Sequence, residues 1–254
     1  MPLLPGAEPF HHDGGRTGVL LCHGFTGCPQ SMRPWAEHLA AQGLTVSLPR
    51  LPGHGTRWQE LALTRWTDWY AEIDRAFLDL RSRCDQVFAM GLSMGGTLAL
   101  RLAQQHGPHV AGLVLVNPSL LTTNRLRGLV PLLKLVVPTV KGVAGDIKKP
   151  GMEEVAYDRT PLRAVASLGD LWRVTRDDLH RVEQPILILR SRVDHVVEPE
   201  NAALLRANVR STDVEERVLE NSYHVATLDN DAETIFAASV EFVRRLAPAA
   251  RAGG

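Results

Sequence analysis

Short apolar runs alternate with amphipathic stretches along most of the chain. Val19–Cys22, Leu44–Leu48, Gln86–Met90, Val110–Val116, Pro185–Leu189 and Val214–Leu219 read as strands. Between and after them, Pro29–Gln42 reads as a helix closed by Gly43. Trp66–Arg83 reads as a long amphipathic helix with Trp66, Trp69, Tyr70, Ile73, Phe77 and Leu80 on one stripe. Gly95–Gln105, Pro199–Asn208 and Asp231–Leu246 are further helices. Nearly continuous apolar strands joined by helices predict an α/β fold: a mostly parallel central sheet covered on both faces.

One stretch breaks this rhythm. No strand is expected between Asn117 and Gln184, a span that includes the strongly apolar Leu126–Pro138, cut by Pro131 and Pro138. It reads as a small helical insertion. The expected organisation is therefore a core of residues 1–117 and 185–254 with a cap, or lid, of residues 118–184. Such a cap either packs over the sheet or lines an apolar pocket.

Composition narrows the classes. A length of 254 residues suits one large α/β domain or two small ones. Lys plus Arg and Asp plus Glu are both 28, so no global field collects nucleic acid or anionic membrane, and a neutral substrate fits better. Cys22, Cys28 and Cys84 form no CxxC pair and no disulfide framework. Cys22, His23 and Cys28 lie close together, but a structural zinc needs four ligands and no second cluster follows, so no metal is expected. The opening Met1–Gly6 has neither a basic n-region nor an apolar h-region, and no apolar run approaches ~18 residues. A cytoplasmic location is the expectation.

The chemistry centres on Gly91-Leu92-Ser93-Met94-Gly95. This G-x-S-x-G pentapeptide follows a predicted strand and opens a predicted helix, the setting of a nucleophile elbow. Small residues are needed either side because the serine sits in a strained turn. No Lys-Ser/Thr pair follows the glycines, which excludes a phosphate-binding loop. Serine needs a base. In elbows of this kind the acid and then the base follow the serine along the chain. Of the ten histidines, His224 lies in the loop after the last predicted strand, where the base belongs. Asp194 follows the preceding strand and is placed to orient it, with Glu198 the close competitor. The backbone N–H of Met94, at the helix start, points where an oxyanion would develop, and that of Phe25, in the loop after the first strand, is the second donor. His54, in Pro52-Gly53-His54-Gly55, reads as a loop brace.

Cys22-His23-Gly24-Phe25-Thr26-Gly27, Leu51-Pro52-Gly53-His54-Gly55-Thr56, Gly91–Gly96, Asp194–Val197 and Asn221–Asp229 together resemble the α/β-hydrolases, and more narrowly the bacterial monoacylglycerol lipases and related small carboxylesterases. The likeness spans nearly the whole chain. It implies Ser93, Asp194 and His224 as the catalytic triad, Phe25 and Met94 as oxyanion donors, and no cofactor. It also implies that Glu154 hydrogen-bonds glycerol hydroxyls and that Val143 is an apolar residue shaping the pocket. The chain departs from the pattern over most of Leu120–Val140, so acyl-length preference does not carry over. The expected substrate is a small lipid ester, with a monoacylglycerol first, a general short-chain carboxylesterase as the alternative, and a non-catalytic binding protein of this fold as a third reading. Contact of the apolar cap with a lipid surface is a further option against the inward-facing arrangement. The oligomeric state stays open.

Overall fold

The computed structural model describes residues 2–123, 130, 137–142 and 145–247. Seven strands form the central sheet: β1 (Phe10–His12), β2 (Thr17–Cys22), β3 (Thr45–Leu48), β4 (Gln86–Leu92), β5 (Leu113–Val116), β8 (Ile186–Ser191) and β9 (Val214–Leu219). Their order is β1-β3-β2-β4-β5-β8-β9. Only β1 runs antiparallel, against β3; the other pairings are parallel, as the expected fold class requires.

The central strands are buried along nearly their whole length because both faces are covered. Side chains alternate between two cores. Leu20, Ala89, Leu115 and Ile188 face one core, with α3 (Trp66–Arg83) and α4 (Met94–His106). Leu21, Met90, Val116 and Leu189 face the other, with α1 (Arg33–Ala41) and α7 (Ala232–Leu246). The helix α3 matches its predicted bounds. Asp68 accepts the N–H of Arg65 at 2.8 Å to start it, and Trp69, Ile73, Phe77 and Leu80 are buried along its inner stripe. Each such side chain contributes roughly 1.5–3 kcal/mol. The edge strand β9 is less buried and carries Glu215, Glu216 and Arg217, which discourages further strand pairing. The short helix α2 (Trp58–Leu61) and α6 (Glu200–Asn208) complete the frame.

The span between β5 and β8 differs from expectation. It contains an antiparallel pair, β6 (Thr139–Lys141) with β7 (Arg159–Pro161), in the register Val140↔Thr160. Three-residue strands bounded by Pro138, Gly142 and Pro161 are too short to show a period of two. The helix α5 (Leu162–Asp177) follows and packs on α3 and α4, with Ala164, Leu168 and Leu171 in the first core. Most of Leu126–Pro138, read as helical, lies outside the described residues.

Core side chains hold this inserted span by its main chain. Asn201 Oδ1 accepts the N–H groups of Leu120 and Leu121, at 2.6 and 2.8 Å. Glu198 Oε1 accepts the N–H of Thr123 at 2.8 Å. Asp229 takes the N–H groups of Lys148 and Lys149 at 2.7 and 2.9 Å. Gln30 accepts from Val155 N–H and donates to the Glu153 carbonyl. In the other direction, Tyr157 Oη donates to the Gly53 carbonyl at 2.8 Å and accepts Thr56 N–H at 2.9 Å.

Candidate active site

The chain leaves β2 toward β3 on one side and returns to β4 on the other, so the carboxyl ends of β2 and β4 adjoin where the winding reverses. Parallel α/β sheets bind ligands at such a point. Ser93 stands there, directly after β4, with φ 55° and ψ −118°. That conformation is uncommon for a residue with a side chain. Its surroundings fix it: Ser93 N–H donates to the Val116 carbonyl at 2.9 Å, and its own carbonyl accepts Gly96 N–H at 3.0 Å. The two flanking glycines are steric necessities. A Cβ at Gly91 would lie 2.2 Å from the Gly95 carbonyl carbon, and one at Gly95 would lie 1.9 Å from the Cys22 carbonyl oxygen. Both contacts are far inside van der Waals range, and α4 could not approach β2 this closely with any larger residue.

His224 lies in the loop after β9 and is 7% exposed. Its Nδ1–H donates to Asp194 Oδ2 at 2.8 Å. Asp194 Oδ1 accepts the N–H groups of Val196 and Val197, both at 2.8 Å. Burial opposes ionisation of Asp194, but the His224 contact and the two amides outweigh it and hold the carboxyl below its ordinary range. Glu198, the competing acid, points elsewhere: it accepts hydrogen bonds from Thr122 and Thr123.

Ser93 and His224 open onto one cavity of about 490 Å³, within the usual range for small-ligand sites. Much of its wall is apolar, including Leu92, Leu121, Val165, Leu168, Trp172 and Val197. Phe25 lines it too, and Gly24 packs beside the elbow, where an added Cβ would sit 3.8 Å from Ser93 Cβ. Met94 is fully buried as the first residue of α4. Glu154 reaches the same cavity from the inserted span. Its Oε2 accepts Gly145 N–H at 3.0 Å, and its Oε1 occupies the space that a side chain on Gly27 would need. Burial pushes the Glu154 carboxyl up, against the opposing pull of the Gly145 amide and of His224. Val143 lies outside the described residues.

Behind the Phe25 loop, His23 and His54 are fully buried, with ring centroids 5.1 Å apart. His23 Nδ1–H donates to the Gly24 carbonyl at 3.0 Å and Nε2 accepts Leu51 N–H at 3.2 Å, which ties the loops after β2 and β3 together. Burial lowers the His23 pKa to about 4, so the ring is neutral. His54 bonds the Pro52 carbonyl and packs edge-on against Trp69, consistent with a brace. The three cysteines are free and buried. Among the described residues, no cluster of His, Cys, Asp and Glu is arranged to hold a metal, and no helix is long and apolar enough to cross a membrane.

Two contributors escaped the sequence reading. Asn117, at φ 44°, accepts Ser191 N–H at 2.8 Å and donates to the His224 carbonyl at 2.8 Å. Its place right after an apolar strand, before Pro118, was the available signal. Asp146 accepts the His224 N–H at 3.1 Å and contacts His195 Nδ1 at 2.8 Å. Nothing in its neighbourhood, Gly145-Asp146-Ile147-Lys148, marks it.

Comparisons with known proteins show the family and the fold. A family model described as serine aminopeptidase, S33, matches residues 15–231. The chain is 43% identical over 246 residues to a thermostable monoacylglycerol lipase from Bacillus sp. (strain H-257), covering 95% of this chain and 96% of that one. It is 28% identical over 256 residues to a carboxylesterase from Bacillus subtilis (strain 168), covering 94% and 97%. A solved structure from work on LipS and LipT, two metagenome-derived lipolytic enzymes, superposes with a TM-score of 0.93 at 44% identity, over 96% of this chain and all of that one. A monoacylglycerol lipase from Paleococcus ferrophilus shares the fold at a TM-score of 0.79 and 19% identity, over 97% and 100% of the two chains.

Proposed function

The chain belongs to the α/β-hydrolase family whose model is described as serine aminopeptidase, S33, and from that membership we propose that it is a serine hydrolase cleaving monoacylglycerols to fatty acid and glycerol. The observation that carries the reading is one cavity onto which Ser93, His224 and Glu154 all open.

Ser93 Oγ attacks the ester carbonyl and His224 Nε2 takes its proton. The hydrogen bond from Nδ1–H to Asp194 leaves Nε2 as the acceptor and stabilises the imidazolium that forms. The backbone N–H groups of Phe25 and Met94 receive the oxyanion; losing one such donor typically costs ~10²–10³ in rate. Met94 N–H heads α4 and so has no intrahelical acceptor of its own. His224 then protonates the departing glycerol oxygen, and water hydrolyses the acyl-enzyme by the same route. No cofactor takes part. The apolar wall holds the acyl chain, at roughly 0.8 kcal/mol per buried CH₂. The Glu154 carboxylate accepts hydrogen bonds from the free glycerol hydroxyls. A triacylglycerol has none, so the mono-ester is preferred.

The division into a core, residues 1–117 and 185–254, and a cap, residues 118–184, belongs to the same reading. The cap supplies Glu154 and α5 to the cavity. Val137 and Val140 line the cavity yet stay 36% and 44% exposed, which supports brief contact with a lipid surface at its mouth. The test is Ser93→Ala. Turnover of a monoacylglycerol should vanish while thermal unfolding stays cooperative; unchanged turnover overturns the mechanism.

A further inference from the structure

His224 sits on a loop from one strand and Asp194 on a loop from another, so their alignment depends on what joins those loops. Beside the direct bond from Ser191 Oγ to the Tyr223 carbonyl, at 2.8 Å, two side chains from other elements do so. Asn117 holds the carbonyl end of His224 from the sheet. Asp146 holds its amide end from the inserted span: Asp146 Oδ2 accepts the N–H groups of His224 at 3.1 Å and His195 at 3.2 Å, and Oδ1 bonds His195 Nδ1 at 2.8 Å. One carboxylate thus grips the acid-bearing loop and the base-bearing loop together. The Asp146 carbonyl also accepts Val225 N–H at 3.1 Å, so the main chain at Asp146 is pinned to the same loop. The preceding residue, Gly145, gives its N–H to Glu154.

We propose that Asp146 is a positioning residue for the acid–base pair, carried by the cap and acting through the His224 peptide. This rests on the reading of Ser93, Asp194 and His224 as the catalytic set. Its role is geometric. The reacting serine hydroxyl and the imidazole must be held in near-attack alignment, and a displacement of ~1 Å costs on the order of a hundredfold. Clamping both ends of the His224 peptide restricts the imidazole's main chain. Releasing the amide end lets the base-bearing loop drift from the acid while the Asp194–His224 contact persists only part of the time. Because the grip comes from the same short stretch that supports Glu154, the head-group carboxylate and the base share one support.

The experiment compares wild type, Asp146→Ala and Asp146→Asn by the rate of covalent labelling with a fluorophosphonate and by kcat and KM on a short nitrophenyl ester, which does not need Glu154. Wild-type labelling comes first, since a wild type that is not labelled refutes the catalytic reading itself and not this inference. In Asp146→Ala, labelling rate and kcat should both fall about 10–100-fold with KM within about twofold of wild type, as expected for lost alignment. Asp146→Asn keeps a carbonyl acceptor for His224 N–H and should return labelling to within about threefold of wild type. The downfield proton resonance of His224 Nδ1–H should be retained in Asp146→Asn and broadened in Asp146→Ala. Should Asp146→Ala fail to fold, Asp146→Ser, whose hydroxyl is too short to reach both loops, is read in its place with the same expectation. An alanine or serine variant that melts earlier but labels at the native rate, or an asparagine variant as slow as alanine, overturns the proposal.

Discussion

The pairing of Gly27 with Glu154 gives a test of head-group recognition that leaves every functional group intact. The perturbation is Gly27→Ala. The added Cβ would lie 2.8 Å from Glu154 Oε1 and 3.7 Å from the Gly24 carbonyl oxygen. A comfortable C···O separation is about 3.3 Å, so the carboxylate must retreat by about half an ångström. It is the far end of a flexible side chain and can do so, and the variant should therefore fold. The retreat strains the 3.0 Å bond from Gly145 N–H, which at about 3.5 Å would leave the normal hydrogen-bonding range. Hydrogen bonds to a charged group contribute roughly 1.5–3 kcal/mol, and the displaced carboxylate should lose about half of one such bond to substrate. Some 1.4 kcal/mol corresponds to a factor of about ten. The assay is kcat/KM on a monoacylglycerol and on a nitrophenyl ester of the same acyl chain. The ratio of the two should fall about four- to twelvefold, with the nitrophenyl ester changed less than about twofold. Equal losses on both substrates, or no loss on either, would refute the assignment of Glu154 to the glycerol hydroxyls.

Two further outcomes follow from other contacts. His23 is held neutral with a pKa of about 4 against an ordinary 6.5, so between these values the unfolded chain binds a proton that the folded chain refuses. Unfolding free energy should then drop as pH falls from about 6.5 toward 4, by at most ~1.4 kcal/mol per pH unit from this group, and His23→Gln should flatten that slope in urea titrations. An identical slope in the variant counts against it. Gly95→Ala forces the new methyl to 1.9 Å from the Cys22 carbonyl oxygen and should remove most folded protein or, in what folds, most fluorophosphonate labelling; normal yield with normal labelling would contradict the elbow geometry.

Much of the frame was legible because its signals are local. The buried strands are apolar runs, and the inner stripe of Trp66–Arg83 gives that helix to the residue. The elbow is likewise written in five adjacent positions. His224 and Asp194 are remote from it in sequence, yet the order serine, acid, base along the chain narrows the choice, and the structure brings the two together at 2.8 Å. What stayed hidden lacks periodicity or depends on the far side of the fold. The strand Phe10–His12 is three residues long with two histidines, and it forms only because β3 offers an edge. The pair Thr139–Lys141 and Arg159–Pro161 is hidden by its prolines and glycine. Strand β5 starts at Leu113, three positions after the predicted Val110, although Ala111 N–H already donates to the Val87 carbonyl at 2.8 Å, so the difference is one of where the regular ladder begins. Asp146 becomes meaningful only when residues 78 positions further along arrive beside it.

The fastenings of the inserted span have a bearing on how such a protein can change. Asn201, Glu198, Asp229 and Gln30 recognise peptide groups that every amino acid except proline presents alike. The identity of the residues at Leu121, Lys149 and Val155 is therefore nearly invisible to the side chains that grip their backbone. Sequence drift in this span can reshape the acyl-binding wall while the docking points hold, so specificity and architecture are free to evolve on separate clocks.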